Sequence, residues 1–420
     1  MTTAAPNTMD SSGPVILRRA EHPVSRRDID PDALKVLYRL YRNGFKAYLV
    51  GGAVRDLFLG KRPKDFDVVT DARPAQVKKL FSNCMLIGRR FRLAHIRFKG
   101  GKIIEVATFR KEPDEECTEN TDPNTSFGTP EEDAFRRDIT INALFYDIAD
   151  FSIIDYTGGL EDLRSGLIRM IGSPHERYVE DPVRMWRVLR HAARLGFAIE
   201  EETAREIGLH RELLCACSGA RLYEELNKDI ASGFLCRVLA LFRAYGVLPD
   251  LLGAAGAFLQ EDPHAFDMLL PLLEAVDKRA RAGSPLSQTA VLSIVLFPWA
   301  RQVLTKETGP GDDRMKALHD SLLASGMSVT IPKAMKAGIV QTLCIVERML
   351  SAMESGRMRW SLKKRARYSD ASVVFSLIAR GEVIESKDPF GRIFRETHPS
   401  ASGFRKKRRP SRWRKSRDKK

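Results

Sequence analysis

The hydrophobic positions of this chain change period part-way along it. Between residues 30 and 155, short apolar runs and alternating stretches interleave with helical segments; beyond Glu180 the apolar residues recur at helical spacing to about residue 380. In "DPDALKVLYRLYRNG" (30–44), Asp30 is placed as an N-cap, Pro31 at the first helical position and Gly44 as the stop, with Leu34, Leu37, Leu40 and Tyr41 as the apolar face. This predicts a helix. "KAYLVGG" then reads as a buried strand entering a glycine turn, "VRDLFLG" as a short helix stopped by Gly60, and "DFDVVT" as an alternating strand. "RPAQVKKLFSN" reads as a helix, and "RLAHIRFKGGKIIEVATFR" as two strands joined at "KGGK". Residues 111–132, acidic and rich in turn formers, carry no periodicity and predict a loop. The fold class expected is α+β: an N-terminal domain with a mixed sheet and flanking helices, followed by an all-helical remainder.

Length and charge narrow the class. A chain of 420 residues predicts roughly two to four domains and can bury about three quarters of its unfolded surface. The six cysteines are scattered without a CxxC pair, and neither a signal peptide nor a long apolar run appears, which predicts a cytoplasmic protein with reduced thiols and no transmembrane segment. The net charge of +15 favours a polyanionic partner, nucleic acid first. Residues 405–420 hold eleven Lys and Arg against Asp418, ten of the fifteen excess charges. Such a block predicts a disordered arm that neutralises phosphates, with Trp413 able to stack on a base. The expected organisation is a disordered leader (1–25), an α/β domain (26–160), two helical regions (161–230 and 231–400) and a disordered basic tail (401–420).

Candidate chemistry gathers in "YLVGGAVRDLFLGKRPKDFDVVTDARP" (48–74). Asp65 and Asp67 flank Phe66, so on a strand their carboxylates share one face, about 7 Å apart at Cα. Glu105 interrupts the apolar run "IIEVATFR", and a charge there needs a partner. Three carboxylates suit paired Mg²⁺ ions, although Asp65 and Asp67 alone read sooner as a surface strand. Gly51-Gly52, directly after a strand, lets backbone N–H groups approach a phosphate, and Arg55 follows on the next helix; the same glycines also fit a plain tight turn. His95 reads as structural, since no other ligating residue lies at metal spacing.

Further along, "RRDITINALFYD" (136–147) reads as a helix placing Asp138 and Asn142 one turn apart. "EDPVRMWRVLRHAARLGF" (180–197) reads as a helix whose Arg184, Arg187, Arg190 and Arg194 fall within an arc of about 120°, with Asp181 as N-cap.

Taken in order, these motifs and "DYTGGLEDLRSGLIRMIG" (155–172) resemble the class II nucleotidyltransferases of the polymerase beta superfamily, the group of bacterial poly(A) polymerases and CCA-adding tRNA nucleotidyltransferases. The resemblance spans roughly residues 30–230. It implies that Asp65, Asp67 and Glu105 hold two Mg²⁺ ions, and that Gly51, Gly52, Arg55, Arg137, Asp138, Asn142, Asp181, Arg184, Arg187 and Arg190 bind the nucleotide. Asp181 and Arg184 would together read the Watson–Crick edge shared by adenine and cytosine. Within the group, Gly88-Arg89-Arg90-Phe91-Arg92-Leu93-Ala94-His95 resembles the stretch that marks bacterial poly(A) polymerases. The expectation is a monomeric enzyme that adds AMP from ATP to RNA 3′ ends. CCA addition to tRNA is the alternative, and a non-catalytic RNA-binding protein a more distant one.

Overall fold

In the computed structural model, which describes residues 13–88, 93–111, 127–306, 311–357, 360–384 and 386–398, the chain divides into two compact units, Met1–Leu214 and Cys215–Lys420. The first unit is built on β1 (Val15–Leu17), α1 (Pro31–Arg42), β2 (Ala47–Val50), α2 (Gly52–Phe58), β3 (Asp67–Thr70), α3 (Pro74–Leu80), β4 (Cys84–Ile87), β5 (Leu93–Arg97), β6 (Ile103–Thr108), α4 (Pro130–Phe135), β7 (Leu144–Asp147) and β8 (Ile153–Asp155). It continues through α5 (Gly159–Ser165), β9 (Leu167–Ile168), α6 (Pro174–Glu180), α7 (Val183–Leu195), β10 (Ala198–Ile199) and α8 (Glu201–His210).

Eight strands form one mixed sheet in the order β1-β8-β7-β2-β3-β6-β5-β4, while β9 and β10 pair in parallel. The central register sets the charged residues side by side. β2 runs antiparallel to β3 with Val50 opposite Asp67, β3 runs parallel to β6 with Asp67 opposite Glu105, and β6 runs antiparallel to β5 with Glu105 opposite His95. Facing residues on adjacent strands share a face. One half of this row is apolar: Val50, Phe145 and Ile154 join Tyr48, Val69 and Phe109 in the buried core. The other half carries Asp67, Glu105 and His95.

Local chemistry explains most elements. Asp30 Oδ1 accepts from the backbone N–H groups of Asp32 and Ala33, and Pro31 opens α1 as expected. α7 ends at Gly196, whose φ of 74° suits glycine. Three readings are corrected. The leader 1–25 is ordered in part: β1 pairs with β8, and His22 Nε2 lies 2.8 Å from the Phe151 carbonyl oxygen. "RRDITINALFYD" is not a helix but a 3-10 turn, Thr140–Asn142, feeding β7; its apolar run is a buried strand, which helical spacing also fits over so few residues. Strand β3 begins at Asp67, so Asp65 lies in the connection before it. β10 is a further short strand beyond residue 180.

The second unit is helical, with α9 (Gly219–Ser232), α10 (Leu235–Ala244), α11 (Leu248–Glu261), α12 (Pro263–Arg281), α13 (Gln288–Lys306), α14 (Gly311–Leu323), α15 (Lys333–Ser355), α16 (Tyr368–Arg380) and α17 (Pro389–Thr397). Among the described residues, no single helix is long and apolar enough to cross a membrane. The expected helical region 161–230 is shared between the two units. Arg89 to Arg92, most of the 111–132 loop and the tail lie outside the described residues.

Candidate active site

The site begins where β2 leaves the sheet and β3 enters it. Because these strands are antiparallel and Val50 faces Asp67, the turn at Gly51-Gly52 and the connection carrying Asp65 lie at the same end of the sheet. Gly51 adopts φ 73°, ψ −142°, a conformation essentially restricted to glycine. A Cβ there would come within 3.8 Å of Arg137 Nη1, so this turn and Arg137 are neighbours.

Asp67, Glu105 and His95 form a row across three strands, with His95 Nε2 3.4 Å from Glu105 Oε1. Asp67 is accessible to solvent, but the protein packed around it strips part of its hydration. That desolvation, then the charges of Glu105 and Asp65, push its pKa up to about 6 against the opposing pull of Arg137. Three carboxylates crowding one another in this way form a donor set suited to hard divalent cations. His95, read from the sequence as a structural residue, abuts the third carboxylate; only the register of β5 on β6 reveals this. Beside the row, a cavity of about 920 Å³ is lined by Asp65 and by the basic residues Arg27, Lys61, Arg62, Lys64 and Lys102.

The nucleotide-binding candidates form two linked clusters. In one, Arg137 donates from Nη2 to Asp133 Oδ2 (2.8 Å), and its guanidinium lies 5.4 Å from the Phe145 ring centre. Arg177, a residue the sequence reading passed over, donates from Nη2 to the carbonyls of Arg136 and Arg137, at 2.8 and 3.0 Å, and so fixes the turn that carries Arg137. Asp138 accepts from Arg184 Nε at 3.1 Å and Arg187 Nη1 at 2.8 Å. Arg184, 8 % exposed, also donates to the Arg177 carbonyl and to Glu180.

In the other cluster, Arg55 is 1 % exposed. Its Nε and Nη2 donate to Asp56 Oδ1 at 2.9 and 2.7 Å, and its Nη1 donates to Asn142 Oδ1 at 2.6 Å. The guanidinium is thus committed to Asp56 and Asn142, and it lies beside the glycine turn, where a Cβ on Gly52 would come within 3.2 Å of its Nη2. Arg194 closes the cluster on Asp56 Oδ2 at 3.2 Å, and Arg190 lies with it near His191. Asp181 Oδ1 accepts from the N–H of Val183, the first residue of α7, at 3.2 Å, but the cap position itself falls to Pro182, and Asp181 ends α6. The arginine stripe of α7 is thus turned largely inward onto carboxylates.

Comparison with known proteins gives the geometry a family. Residues 47–169 match the profile of the poly(A) polymerase head domain, and residues 196–255 that described as "Probable RNA and SrmB- binding site of polymerase A". The chain is 39 % identical over 384 residues to poly(A) polymerase I of Salmonella typhi, covering 87 % of this chain and 82 % of that enzyme. The chain belongs to the poly(A) polymerase family. It is an RNA nucleotidyltransferase. A CCA-adding enzyme of Lactobacillus helveticus is also 39 % identical to it, but over 201 residues, 48 % of this chain and 50 % of its own. Among solved structures, the Bacillus stearothermophilus CCA-adding enzyme in complex with CTP aligns with a TM-score of 0.62 at 25 % identity, covering 89 % of this chain and 83 % of its own. The two subgroups therefore share this fold, and the longer sequence match lies with the poly(A) polymerase.

Proposed function

We propose that the protein is a template-independent polynucleotide adenylyltransferase that transfers AMP from ATP to RNA 3′ ends. The observation that carries this reading is the cross-strand row of Asp67 and Glu105, with Asp65 just before it, set at the same sheet end as the Gly51 turn and Arg137. Asp65, Asp67 and Glu105 are the residues that would hold two Mg²⁺ ions. When bound, those ions supply charge neutralisation for a pentavalent phosphate and ease ionisation of the RNA 3′-hydroxyl. The bond formed joins the 3′-oxygen to the α-phosphorus of ATP; the bond broken links that phosphorus to the bridging oxygen, releasing pyrophosphate and a proton.

The chain's own residues supply binding and alignment. The backbone N–H groups at Gly51-Gly52 and the Arg137 guanidinium bind the triphosphate, with Arg137 aimed by Asp133 and Arg177. Asp138, Asn142, Asp181 and Arg184, with Arg187 and Arg190, bind the sugar and the base. In this reading 26–160 is the catalytic head, 161–230 recognises the base, and the helical body of 231–400 binds RNA. The choice of poly(A) over CCA addition rests on the extent of the sequence match, 87 % of the chain against 48 %.

The deciding experiment offers each nucleoside triphosphate separately to a generic RNA and to a tRNA lacking its CCA end. Long A-tails on both substrates are expected, with incorporation lost in Asp65→Ala and Asp67→Ala while the fold persists. Addition of C, C and A to tRNA alone would reassign the chain to the alternative, and near-normal activity of either aspartate variant would remove the metal-site assignment.

A further inference from the structure

A second cluster of ligating side chains lies in the first unit, away from the carboxylate row, and adenylyl transfer makes no use of it. His175 is the second residue of α6, and Glu206 and His210 lie one turn apart on α8. His175 Nδ1 stands 2.8 Å from His210 Nε2, and the two nitrogens lie 3.6 and 3.1 Å from one carboxylate oxygen, Glu206 Oε2. Three lone-pair atoms therefore converge. In a tetrahedral zinc site with bonds of about 2.0–2.2 Å, ligand atoms sit about 3.3 Å apart, and the observed triangle brackets that spacing.

The glutamate is held ready for this. Its other oxygen, Oε1, accepts from Arg205 Nε at 3.2 Å and Nη2 at 3.0 Å, which turns Oε2 toward the histidines. Outer hydrogen bonds of this kind fix the orientation of metal-binding carboxylates. A hydrogen-bonded triad is the simpler account of the contacts, yet one imidazole proton can lie along only one edge of the triangle. Neutral tautomers can place a proton on each of the two nitrogens, but both would then point at Glu206 and leave the 2.8 Å edge between the rings without one. A single cation among the three atoms satisfies all of them.

We infer that His175, Glu206 and His210 form a zinc-class metal site. Two imidazoles and one carboxylate are a ligand set typical of zinc rather than of magnesium or calcium, which take oxygen ligands. The His175 side chain is 62 % exposed, so a fourth position is open to water on that side. The metal ties the first turn of α6 to the end of α8. α6 also carries Arg177, which holds the carbonyls of Arg136 and Arg137, so the tether steadies the element that aims Arg137. No ligand is shared with Asp65, Asp67 or Glu105.

The test uses the full chain carrying Asp65→Ala and Asp67→Ala, stripped with a chelator and dialysed against Zn²⁺ alone, so that the carboxylate row contributes no binding. One zinc per chain is expected at sub-micromolar concentration, with a rise in the thermal midpoint on loading. Adding His175→Ala, a change on the exposed side of the cluster that leaves packing intact, is expected to weaken uptake at least a hundredfold; adding His210→Ala should do the same. Cobalt(II) loading reports geometry, and the intense visible bands of four-coordinate cobalt are expected only where both histidines remain. Equal zinc uptake with and without His175 and His210, or a weak six-coordinate cobalt spectrum in the parent, would overturn the assignment.

Discussion

His191 shows how much one residue's neighbours decide. Asn142 Oδ1 accepts from Arg55 Nη1, which turns the amide nitrogen of Asn142 toward His191 Nε2 at 3.3 Å. That nitrogen can only donate, so Nε2 must carry the lone pair and the ring must be neutral. Burial, followed by the charges of Arg55, Arg190, Arg194 and Arg187, holds the His191 pKa well below its ordinary value. The sign comes from linkage. The unfolded chain binds a proton near pH 6.5 and the folded one does not, so this contribution to stability is complete above that pH and is lost as pH falls toward the depressed folded value. Between pH of about 7 and 5.5, the stability of the first unit is expected to decline, and His191→Gln, which keeps an acceptor at similar reach but cannot titrate, should flatten that decline. Chemical denaturation across the pH series, followed through the buried Trp186, measures it; identical slopes in the two proteins would mean that His191 is not the group responsible.

Among the elements, α2 and α7 are joined by buried charge. Asp56 accepts from Arg55 on its own helix and from Arg194 on α7, and Arg55 reaches on to Asn142 in the turn before β7. Removing the carboxylate would strand a guanidinium that is 1 % exposed, and breaking a buried pair in this way costs about 3–5 kcal/mol. Asp56→Ala is therefore expected to speed amide exchange in α2 and the start of β7 by about two to four orders of magnitude, and Asp56→Asn by less. Exchange at the parent rate would show that the join is made elsewhere. The sequence pointed to the ends of α1 through Asp30, Pro31 and Gly44, and to the Asp65, Asp67 and Glu105 set through charges placed on strand-like runs. It did not reveal that Arg55 points inward, because helical spacing does not say what lies across the interface. Nor did it reveal β1, an edge strand of three residues whose partner, β8, lies far along the chain, or the pairing of His95 with Glu105, which depends on strand register.

At the scale of the whole molecule, the positive charge of the chain is concentrated in one terminal segment of the sequence. Residues 405–420, which lie outside the described residues, hold eleven basic side chains and one acidic, a net of ten against the +15 of the whole chain. The described residues contribute a local basic lining beside the site, with Lys61, Arg62, Lys64 and Lys102 around the cavity that Asp65 borders. The two sources are distinguishable by salt. Each phosphate neutralised on a single strand contributes about 0.7 to the slope of log affinity against log salt. If roughly half of the segment's charges engage RNA, deleting residues 405–420 should lower that slope by about 3 to 4, weakening binding chiefly at low salt and with little dependence on RNA sequence. Substituting Lys61, Arg62 and Lys64 together by Gln should change the slope less but reduce adenylation more, because those side chains sit beside the carboxylates. Filter binding over a salt series, paired with single-turnover incorporation of AMP, separates the two contributions. A slope unchanged by the deletion would place the grip on RNA in the folded surface and leave the terminal charges without a part in it.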